Sequence, residues 1–262
     1  MWRYAIRRWC LEIADSVDII ADGYDVRSLG VSYPNGFVIG EHTHPWGQLV
    51  YCMSGVMQVT ASDVVWFVPS TRALWLPPKV KHHIVMQGEV DMRTLYLSLP
   101  RATHLPLDLS IFEVSPLLGE LILAIQQIGM LEQRNKKHSR LAAVLIDLVC
   151  EAPLGDLRLA LPKDARAAAL ARWFQNNPAS QTALKTIAVQ HGRSLRTLQR
   201  LFVRETGMSL DAWRQKARLI HAVTRLITGD SVTNAGFNCG YKSTSAFIVA
   251  FKKQFGVTPG RY

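Results

Sequence analysis

The spacing of hydrophobic positions changes twice along the chain of 262 residues, and each change marks a new predicted segment. Between residues 30 and 100, short runs of β-branched and aromatic residues alternate with turn residues, which is typical of the closely spaced strands of a β-barrel or sandwich. Between residues 111 and 150, leucine and isoleucine recur at helical spacing in two stretches. We therefore predict an α+β fold with a β-barrel domain over 1–110, a helical linker or dimerisation segment over 111–160 and an all-α domain over 161–262.

Two copies of one helical pattern follow each other in the last hundred residues. In each copy a short helix meets a turn that contains Gly, at His191-Gly192 and at Cys239-Gly240, and a Ser then opens a second helix. This pattern predicts two helix-turn-helix units, each of which presents one helix to the major groove of DNA. A longer helix between them would span roughly 27 Å, which suits recognition helices in grooves about 34 Å apart. The predicted helices cover about 165–175, 183–190, 195–206, 210–227, 231–237 and 244–255.

The positive charge of the chain is concentrated in the same region. Residues 163–262 contain 16 Lys and Arg against 4 Asp and Glu, whereas residues 1–162 contain 14 against 16. A basic segment of this kind attracts phosphate groups and gives an affinity that falls with added salt. The alternative is an ordinary solvated basic surface, but the coincidence with two helix-turn-helix units favours double-stranded DNA as the partner.

Side chains that could read DNA lie on the second helix of each unit. Arg can pair with guanine and Gln with adenine, so we expect Arg196, Gln199 and Arg200 to contact bases and Arg193 or Arg204 to contact phosphate. The alternative for each of them is a merely solvated side chain. The other recognition helix offers hydroxyls and apolar side chains, so we expect it to contribute weaker sequence readout. The opposite faces, predicted to be buried, carry Leu198, Leu201 and Phe202, and Phe247, Phe251 and Phe255. The candidate DNA contacts are Arg193, Arg196, Thr197, Gln199, Arg200, Arg204, Ser243, Thr244, Ser245, Ile248, Val249 and Lys252.

Residues from about 165 to the end resemble the AraC/XylS family of transcriptional regulators. The segments that carry the resemblance are SLRTLQRLFVRETG, WRQKARL and the terminal GYKSTSAFIVAFKKQFGVTPGRY. The resemblance implies a one-chain DNA-binding domain with two helix-turn-helix units, in a protein that is usually an activator and contacts RNA polymerase near a promoter. One departure is Gly236, where the family commonly has Ala. Gly costs about 1 kcal/mol inside a helix, so we expect the second unit to be less rigid.

The N-terminal segment resembles the cupin-type sensor domain of many such regulators. Its first motif carries Gln where metal-binding cupins usually carry Glu, and its second carries Lys in place of Gly. The two motifs read Gly36-x5-His42-Thr43-His44-x3-Gln48-x6-Gly55 and Pro77-x-Lys79-x-x-His82. The resemblance implies a cupin-like β-barrel that binds an effector.

The spacing of the histidines in these motifs could form a metal site. Residues i and i+2 of a strand share a face, so His42 and His44 can both enter a barrel. His82 from another strand could be a third ligand and Gln48 a weak fourth. Three imidazoles suit a divalent transition metal such as Zn²⁺, Ni²⁺ or Fe²⁺. The alternative is that these histidines bond to an effector or to one another without a metal.

A small-molecule effector would need a pocket in the same barrel. Aromatic and polar residues of the motif region could line it, although aromatic residues in a small barrel more often belong to the core. The candidate pocket residues are Trp46, Gln48, Tyr51 and Trp75.

Other functions compete with ligand-responsive regulation. A metal-dependent cupin enzyme with an accessory basic domain is one alternative, but the Glu ligand is replaced and no paired general acid and base stands out, so we expect no enzyme. A non-specific architectural DNA binder is another, and the Arg- and Gln-bearing helix argues against it. Two amphipathic helices beside the barrel could cover it as part of the intrachain core, or they could pair with a second subunit and form a homodimer.

The cysteines and the apolar runs bear on location. Four cysteines, Cys10, Cys52, Cys150 and Cys239, form no C-x-x-C pair, which fits reduced thiols in a cytoplasm. Apolar runs are too short or too charged to cross a membrane, so we expect a cytoplasmic protein without a membrane partner.

Overall fold

The computed structural model describes residues 23–190 and 194–261, which fall into two compact units. The first unit contains the chain up to Ser62 and the segment Val68–Gly155. The second unit contains the segment Asp63–Phe67 and the chain from Asp156 onward. The predicted division at residues 110 and 160 stays a prediction. Four residues named above, Cys10, His191, Gly192 and Arg193, lie outside the described residues.

The first unit is built on two antiparallel sheets, as the resemblance to a cupin-like barrel implied. One sheet has the strand order β10-β1-β8-β3-β6-β9, and the other contains β4, β7 and β2 as neighbours. In the second unit, residues of β5 pair with β11 in antiparallel register. The strands are β1 (Tyr24–Tyr33), β2 (Val38–His42), β3 (Gly47–Val50), β4 (Val56–Ala61), β5 (Val64–Pro69), β6 (Arg72–Leu76), β7 (His82–Gln87), β8 (Val90–Leu97), β9 (Ser110–Glu113), β10 (Met130–Glu132) and β11 (Arg158–Ala160).

Two amphipathic helices cover one face of the six-stranded sheet. They are preceded by the short helix α1 (Leu99–Ala102) and comprise α2 (Pro116–Ile128) and α3 (Lys136–Glu151). The predicted helical segment thus forms two helices at the positions that the spacing indicated. Their apolar faces share a core with the outer side of the sheet. That core includes Val26, Leu49, Trp75, Leu95, Leu118, Ile122, Ile125, Leu145 and Val149.

The second unit is helical, and its helix bounds agree with the prediction to within one residue. Side-chain oxygens cap the N-termini: Ser194, Ser209 and Ser243 each accept a backbone N–H three residues on. Gly207 and Gly256 end two helices in the left-handed region, with φ of 72° and 75°. The helices are α4 (Ala165–Asn176), α5 (Leu184–Gln190), α6 (Leu195–Thr206), α7 (Leu210–Ile227), α8 (Val232–Asn238) and α9 (Thr244–Phe255).

Helix α7 carries the central core of this unit. Trp213 is fully buried, and its ring meets Phe202 of α6 at a centroid distance of 5.5 Å. Phe247 and Phe251 of α9 are likewise fully buried. Phe255 is only half-buried, so its assignment to the core was wrong, because it lies in the last turn of α9 where less of the unit surrounds it. The other predicted buried positions of α6 are confirmed.

Gly236 packs directly against the core of the second helix-turn-helix unit. A Cβ at this position would lie 3.0 Å from two ring atoms of Phe247 and 3.1 Å from its Cβ. Because Phe247 is fully buried, it has little room to move away. The close approach of α8 to α9 gives a packing reason for Gly at a position where helix propensity alone favours Ala.

Candidate DNA-binding surface and sensor site

Helix α6 presents a polar face opposite its buried one. Leu198 and Phe202 have no exposed surface, whereas Arg196, Gln199 and Arg200 are exposed. The burial of one face fixes the rotation of the helix about its axis, because apolar positions recur every three to four residues. The three residues expected at base edges are therefore together on the solvent side of one helix.

Two other candidate residues of α6 already have protein partners. The Thr197 hydroxyl lies 2.9 Å from the hydroxyl of Ser194, the cap residue that also accepts the Thr197 N–H. Arg204 pairs with Glu205 and keeps 63% of its side chain exposed. Glu205 in turn accepts the backbone N–H groups of Lys163 and Asp164 at 2.8 and 2.9 Å. Arg204 thus remains accessible to a phosphate, while Thr197 belongs to the start of the helix.

Helix α9 exposes fewer readout groups than its sequence indicated. Val249 is 69% exposed, and Ser243, Ser245 and Lys252 are exposed as well. Ile248 is half-buried rather than free. Thr244 is also half-buried, and its hydroxyl lies 3.5 Å from that of Thr233 on α8.

Several basic residues counted in the charge of this region serve the fold instead. Arg218 donates to the carbonyls of Pro178 and Ser180 at 2.8 and 2.7 Å, and Arg214 also donates to Ser180. Burial lowers the pKa of Arg214 and of Arg218. These arginines hold the loop before α5 against α7, so the net charge of the segment overstates what α6 and α9 offer to phosphate.

In the first unit, the three motif histidines come together between the sheets. His42 and His82 are directly opposite each other on the paired strands β2 and β7, with ring centroids 4.3 Å apart. His44 follows β2 by two residues, and its ring centroid lies 5.3 Å from that of His82. One ring nitrogen from each of the three lies within 4.8 Å of the others. Among the described residues no Asp or Glu joins this group.

Backbone carbonyls fix the tautomer of all three rings. The Nδ1 atoms of His42, His44 and His82 lie 2.8, 2.8 and 2.9 Å from the carbonyl oxygens of Gly40, Trp46 and Val80. A carbonyl can only accept, so each Nδ1 carries a hydrogen, and in a neutral ring the Nε2 then carries a lone pair. Metal-binding histidines show this same second hydrogen bond. Burial lowers the pKa of His44, and it lowers the pKa of His82 to about 3, so both rings are neutral near pH 7.

The turn before β7 holds the histidines in place at a conformational cost. Lys79, where the cupin motif has Gly, adopts a left-handed φ of 64°. Its N–H donates to the carbonyl of His44 at 2.9 Å, which ties the His44 loop to the turn that precedes His82. An L-residue other than Gly, Asn or Asp is strained in this region by about 1–2 kcal/mol. Lys79 thus adopts a conformation that Gly would adopt without strain.

A row of polar side chains on the six-stranded sheet faces the histidines. Gln48, Tyr96 and Arg27 are cross-strand neighbours on β3, β8 and β1, and the His44 ring contacts Tyr96 edge-on at 5.3 Å. The Arg27 guanidinium lies 3.9 Å from the centre of the Trp46 ring, and burial lowers its pKa to about 10. Sequence reasoning missed Arg27, Tyr96 and the neighbouring Thr94, because a strand pattern alone does not say which strands pair.

Two of the candidate pocket residues lie on the face of the six-stranded sheet that is turned away from the histidines. Trp75 pairs with Leu49, not with Gln48, and it belongs to the core beneath α2 and α3. A Cβ added at Gly47 would lie 2.0 Å from the Trp75 ring, so the ring fills the space next to Gly47. Tyr51 packs against the same core. The assignment of Tyr51 and Trp75 to an effector pocket is therefore corrected, whereas Trp46 and Gln48 lie on the histidine side.

Comparison with known proteins now identifies the family. Residues 187–262 match the family model of a helix-turn-helix domain, and residues 29–171 match that of the AraC-like ligand binding domain, which is more than half of the chain. The chain belongs to the AraC family of transcriptional regulators. It accordingly combines a ligand-binding N-terminal domain with a C-terminal helix-turn-helix domain.

Individual AraC-family proteins are similar over different lengths. The transcriptional regulator NimR of Escherichia coli K12 is 34% identical over 221 residues, or 84% of this chain and 81% of NimR. The transcriptional activator RhaS of Escherichia fergusonii is 33% identical over 97 residues, or 37% of this chain and 35% of RhaS. The crystal structure of ToxT from Vibrio cholerae aligns over 91% of this chain and 96% of its own at 11% identity, with a TM-score of 0.39, which is too distant to guide residue assignments.

One property of the described chain bears on its surroundings. No helix in residues 23–190 or 194–261 is both long and apolar enough to cross a membrane.

Proposed function

We propose that this protein is a sequence-specific transcriptional regulator that places α6 and α9 in two adjacent major grooves of DNA. The observation that carries the proposal is the polar face of α6, where Arg196, Gln199 and Arg200 are exposed opposite a fully buried apolar face. Two bidentate donors and an amide on one helix match the hydrogen-bonding edges of guanine and adenine. An architectural binder would need only phosphate contacts.

The length of α7 supports the reading of two grooves. Its 18 residues correspond to roughly 27 Å, and the core residues of both helix-turn-helix units pack on it. Turns of the major groove on one face of DNA are about 34 Å apart, which is of the same order as the length of α7. We further propose that the protein activates transcription through contact with RNA polymerase, as the resemblance implied and as the name of the relative RhaS supports.

The effector of the N-terminal domain is proposed to be a divalent transition metal held by His42, His44 and His82. The residues fit such an ion. With Nδ1 of each ring turned to a carbonyl, the Nε2 atoms are the ones left for an ion, and that of His82 is buried without a hydrogen-bond partner, which is costly unless something binds it. Two nitrogens on one ion at about 2.1 Å are at most about 4.2 Å apart, and one ring nitrogen of each histidine already lies within 4.8 Å of the others. A bound ion would supply positive charge and cross-link β2, β7 and the loop before β3.

A small molecule with an anionic group is the second candidate effector. The buried guanidinium of Arg27 on the same side of the sheet favours it. An enzyme is less well supported, because no described carboxylate joins the histidines to act as a general base.

Assembly and location are also proposed. Leu117 on α2 and Val144 on α3 are 61% and 44% exposed, and we propose that these helices form a homodimer contact. A protein that regulates transcription must reach DNA, so we propose a cytoplasmic location.

In vitro selection of DNA with the full chain tests the proposed function. Wild type should enrich two short half-motifs about one helical turn apart for each subunit. Arg200→Ala should lose more sequence preference than Thr244→Ala, because only Arg200 offers a bidentate contact. Equal losses would contradict the assignment of roles, and recovery of unselected sequence would contradict sequence-specific binding. Full metal occupancy by elemental analysis without any DNA selection would favour the enzyme.

A further inference from the structure

We infer that the loop 177–183, which precedes α5, is a bridge that fixes the two helix-turn-helix units relative to each other. Arg218 and Gln181 are its positioning residues, since they act through the loop and not on a base. The bridge determines which spacing between two DNA half-motifs the protein accepts. The inference rests on the proposed function, in which α6 and α9 read adjacent major grooves.

Helix α7 holds the loop from one side through two arginines. Arg214 and Arg218 are four residues apart and therefore share a face of the helix. Arg218 donates through Nε to the carbonyl of Pro178 at 2.8 Å and through Nη2 to that of Ser180 at 2.7 Å. Arg214 donates to the same Ser180 carbonyl, and its guanidinium lies 5.2 Å from the centre of the Phe174 ring on α4. Because the planar fork of Arg218 spans two carbonyls, it fixes the direction of the loop as well as its position.

The other side of the loop contacts the turn of the second helix-turn-helix unit. Gln181 donates through Nε2 to the carbonyl of Gly240 at 3.0 Å. The two backbones also approach closely, because a Cβ at Gly240 would lie 3.1 Å from the Cα of Ala179 and 3.2 Å from its carbonyl oxygen. Gly240 has a φ of 82°, a left-handed conformation that Gly adopts without strain. The loop therefore connects the start of α5 directly with the turn between α8 and α9.

A second connection restrains the two units more than α7 does by itself. A single shared helix lets each unit rock about its axis, whereas a bridge away from that axis resists such rocking. The bonds of Arg218 have a charged donor, so they are stronger than bonds between neutral groups. One base pair added between two half-motifs moves the second by about 3.4 Å along the duplex and about 35° around it. Units joined by the bridge cannot follow this change without breaking bonds to the loop.

Binding of the full chain to DNA with altered half-motif spacing tests the inference. The half-motifs enriched by selection are placed at the enriched spacing and at spacings one or two base pairs longer or shorter, and affinity is measured by fluorescence anisotropy. Wild type should lose at least about tenfold in affinity when one base pair is added, as for one lost base contact. In Arg218→Ala and in Gln181→Ala we expect this loss to shrink to about threefold or less, because fewer hydrogen bonds must break.

Two further variants separate positioning from charge. Arg218→Lys keeps the positive charge but lacks the planar fork that spans two carbonyls. It should also relax the spacing preference, while the dependence of affinity on salt stays as in wild type. Arg172→Ala removes an exposed positive charge from α4 and should leave the spacing preference unchanged.

The outcomes separate the inference from the proposed function. A wild-type spacing preference in Arg218→Ala and Gln181→Ala, whatever their overall affinity, would overturn the inference, because a purely structural role lowers affinity equally at every spacing. Wild type that binds all spacings equally well would overturn it too, while paired half-motifs would still support the reading of two grooves. If Arg218→Ala does not fold, the exposed Gln181 provides the test. If selection with wild type yields a single half-motif, the two-groove proposal fails and the inference with it.

Discussion

The ion pair between Lys216 and Asp156 ties the start of the second unit to its central helix. Lys216 is 9% exposed in the middle of α7, and its ammonium donates to both carboxylate oxygens of Asp156 at 2.6 and 2.7 Å. Gln254 of α9 donates to the same carboxylate at 3.2 Å. Removing either charge should therefore disturb the helix-turn-helix domain, but the two removals should differ in cost.

The difference follows from which charge is left behind. Asp156→Ala leaves the Lys216 ammonium buried without an anion. Breaking a fully buried pair costs about 3–5 kcal/mol, and because half of the Asp156 side chain is exposed and water can replace it in part, we expect about 1.5–2.5 kcal/mol. Lys216→Met keeps the aliphatic packing and removes the charge, so we expect less than about 1 kcal/mol. The double variant should match Lys216→Met alone.

Native-state hydrogen exchange of the full chain measures this cost locally. Peptides from α7 should exchange about 10- to 70-fold faster in Asp156→Ala, which is the expected cost converted at 1.4 kcal/mol per tenfold. Strand β8 of the other unit is the internal reference and should keep its protection. A greater loss in Lys216→Met than in Asp156→Ala, or simple addition of the two losses in the double variant, would refute the reasoning.

Three other predictions test the hydrogen bonds of Glu205, a candidate DNA contact and a strained turn. The bonds from the Asp164 and Lys163 amides lower the pKa of Glu205, the Asp164 bond most. Its contribution is complete above the unfolded pKa of about 4.3 and is lost as pH falls through the lower folded pKa. The gap in unfolding free energy between wild type and Glu205→Gln should therefore shrink below about pH 4, and a constant gap would count against a stabilising role of the Glu205 carboxylate. If Lys252 contacts a phosphate, Lys252→Ala should reduce the slope of log affinity against log salt by about 0.9 while sequence preference is retained; an unchanged slope would exclude Lys252 as a phosphate contact. Lys79→Gly should raise stability by up to about 1 kcal/mol in thermal unfolding, and a lower melting temperature would mean that its φ is not strained.

The helix bounds of the second unit could be predicted closely because capping residues mark where its helices begin and end. Ser194, Ser209 and Ser243 begin α6, α7 and α9 at the predicted residues, and Gly207 and Gly256 follow two of them. These signals are local, so one sequence is enough to locate them. The meeting of His42, His44 and His82 was also predictable, because motif spacing on strands constrains which side chains share a face.

Pairing across the sheet was not predictable in the same way. Both faces of the six-stranded sheet are buried, one beneath α2 and α3, so β3 and β6 show no alternation of exposure that would tell inside from outside. Trp75 and Tyr51 were therefore assigned to the wrong face, and the neighbours of Gln48 were not foreseen. The net charge overstated the DNA-binding surface for a related reason. The sequence does not show that Arg214 and Arg218 donate hydrogen bonds to a backbone carbonyl of the same unit.

The central claim, that α6 and α9 enter adjacent major grooves on one face of DNA, is tested most directly by methylation interference on the selected site. The claim predicts two clusters of major-groove interference about 10–10.5 base pairs apart for each DNA-binding domain, with the cluster nearer α6 lost in Arg200→Ala and the other weakened in Val249→Ala. A single cluster, or two clusters on opposite faces of the duplex, would contradict it.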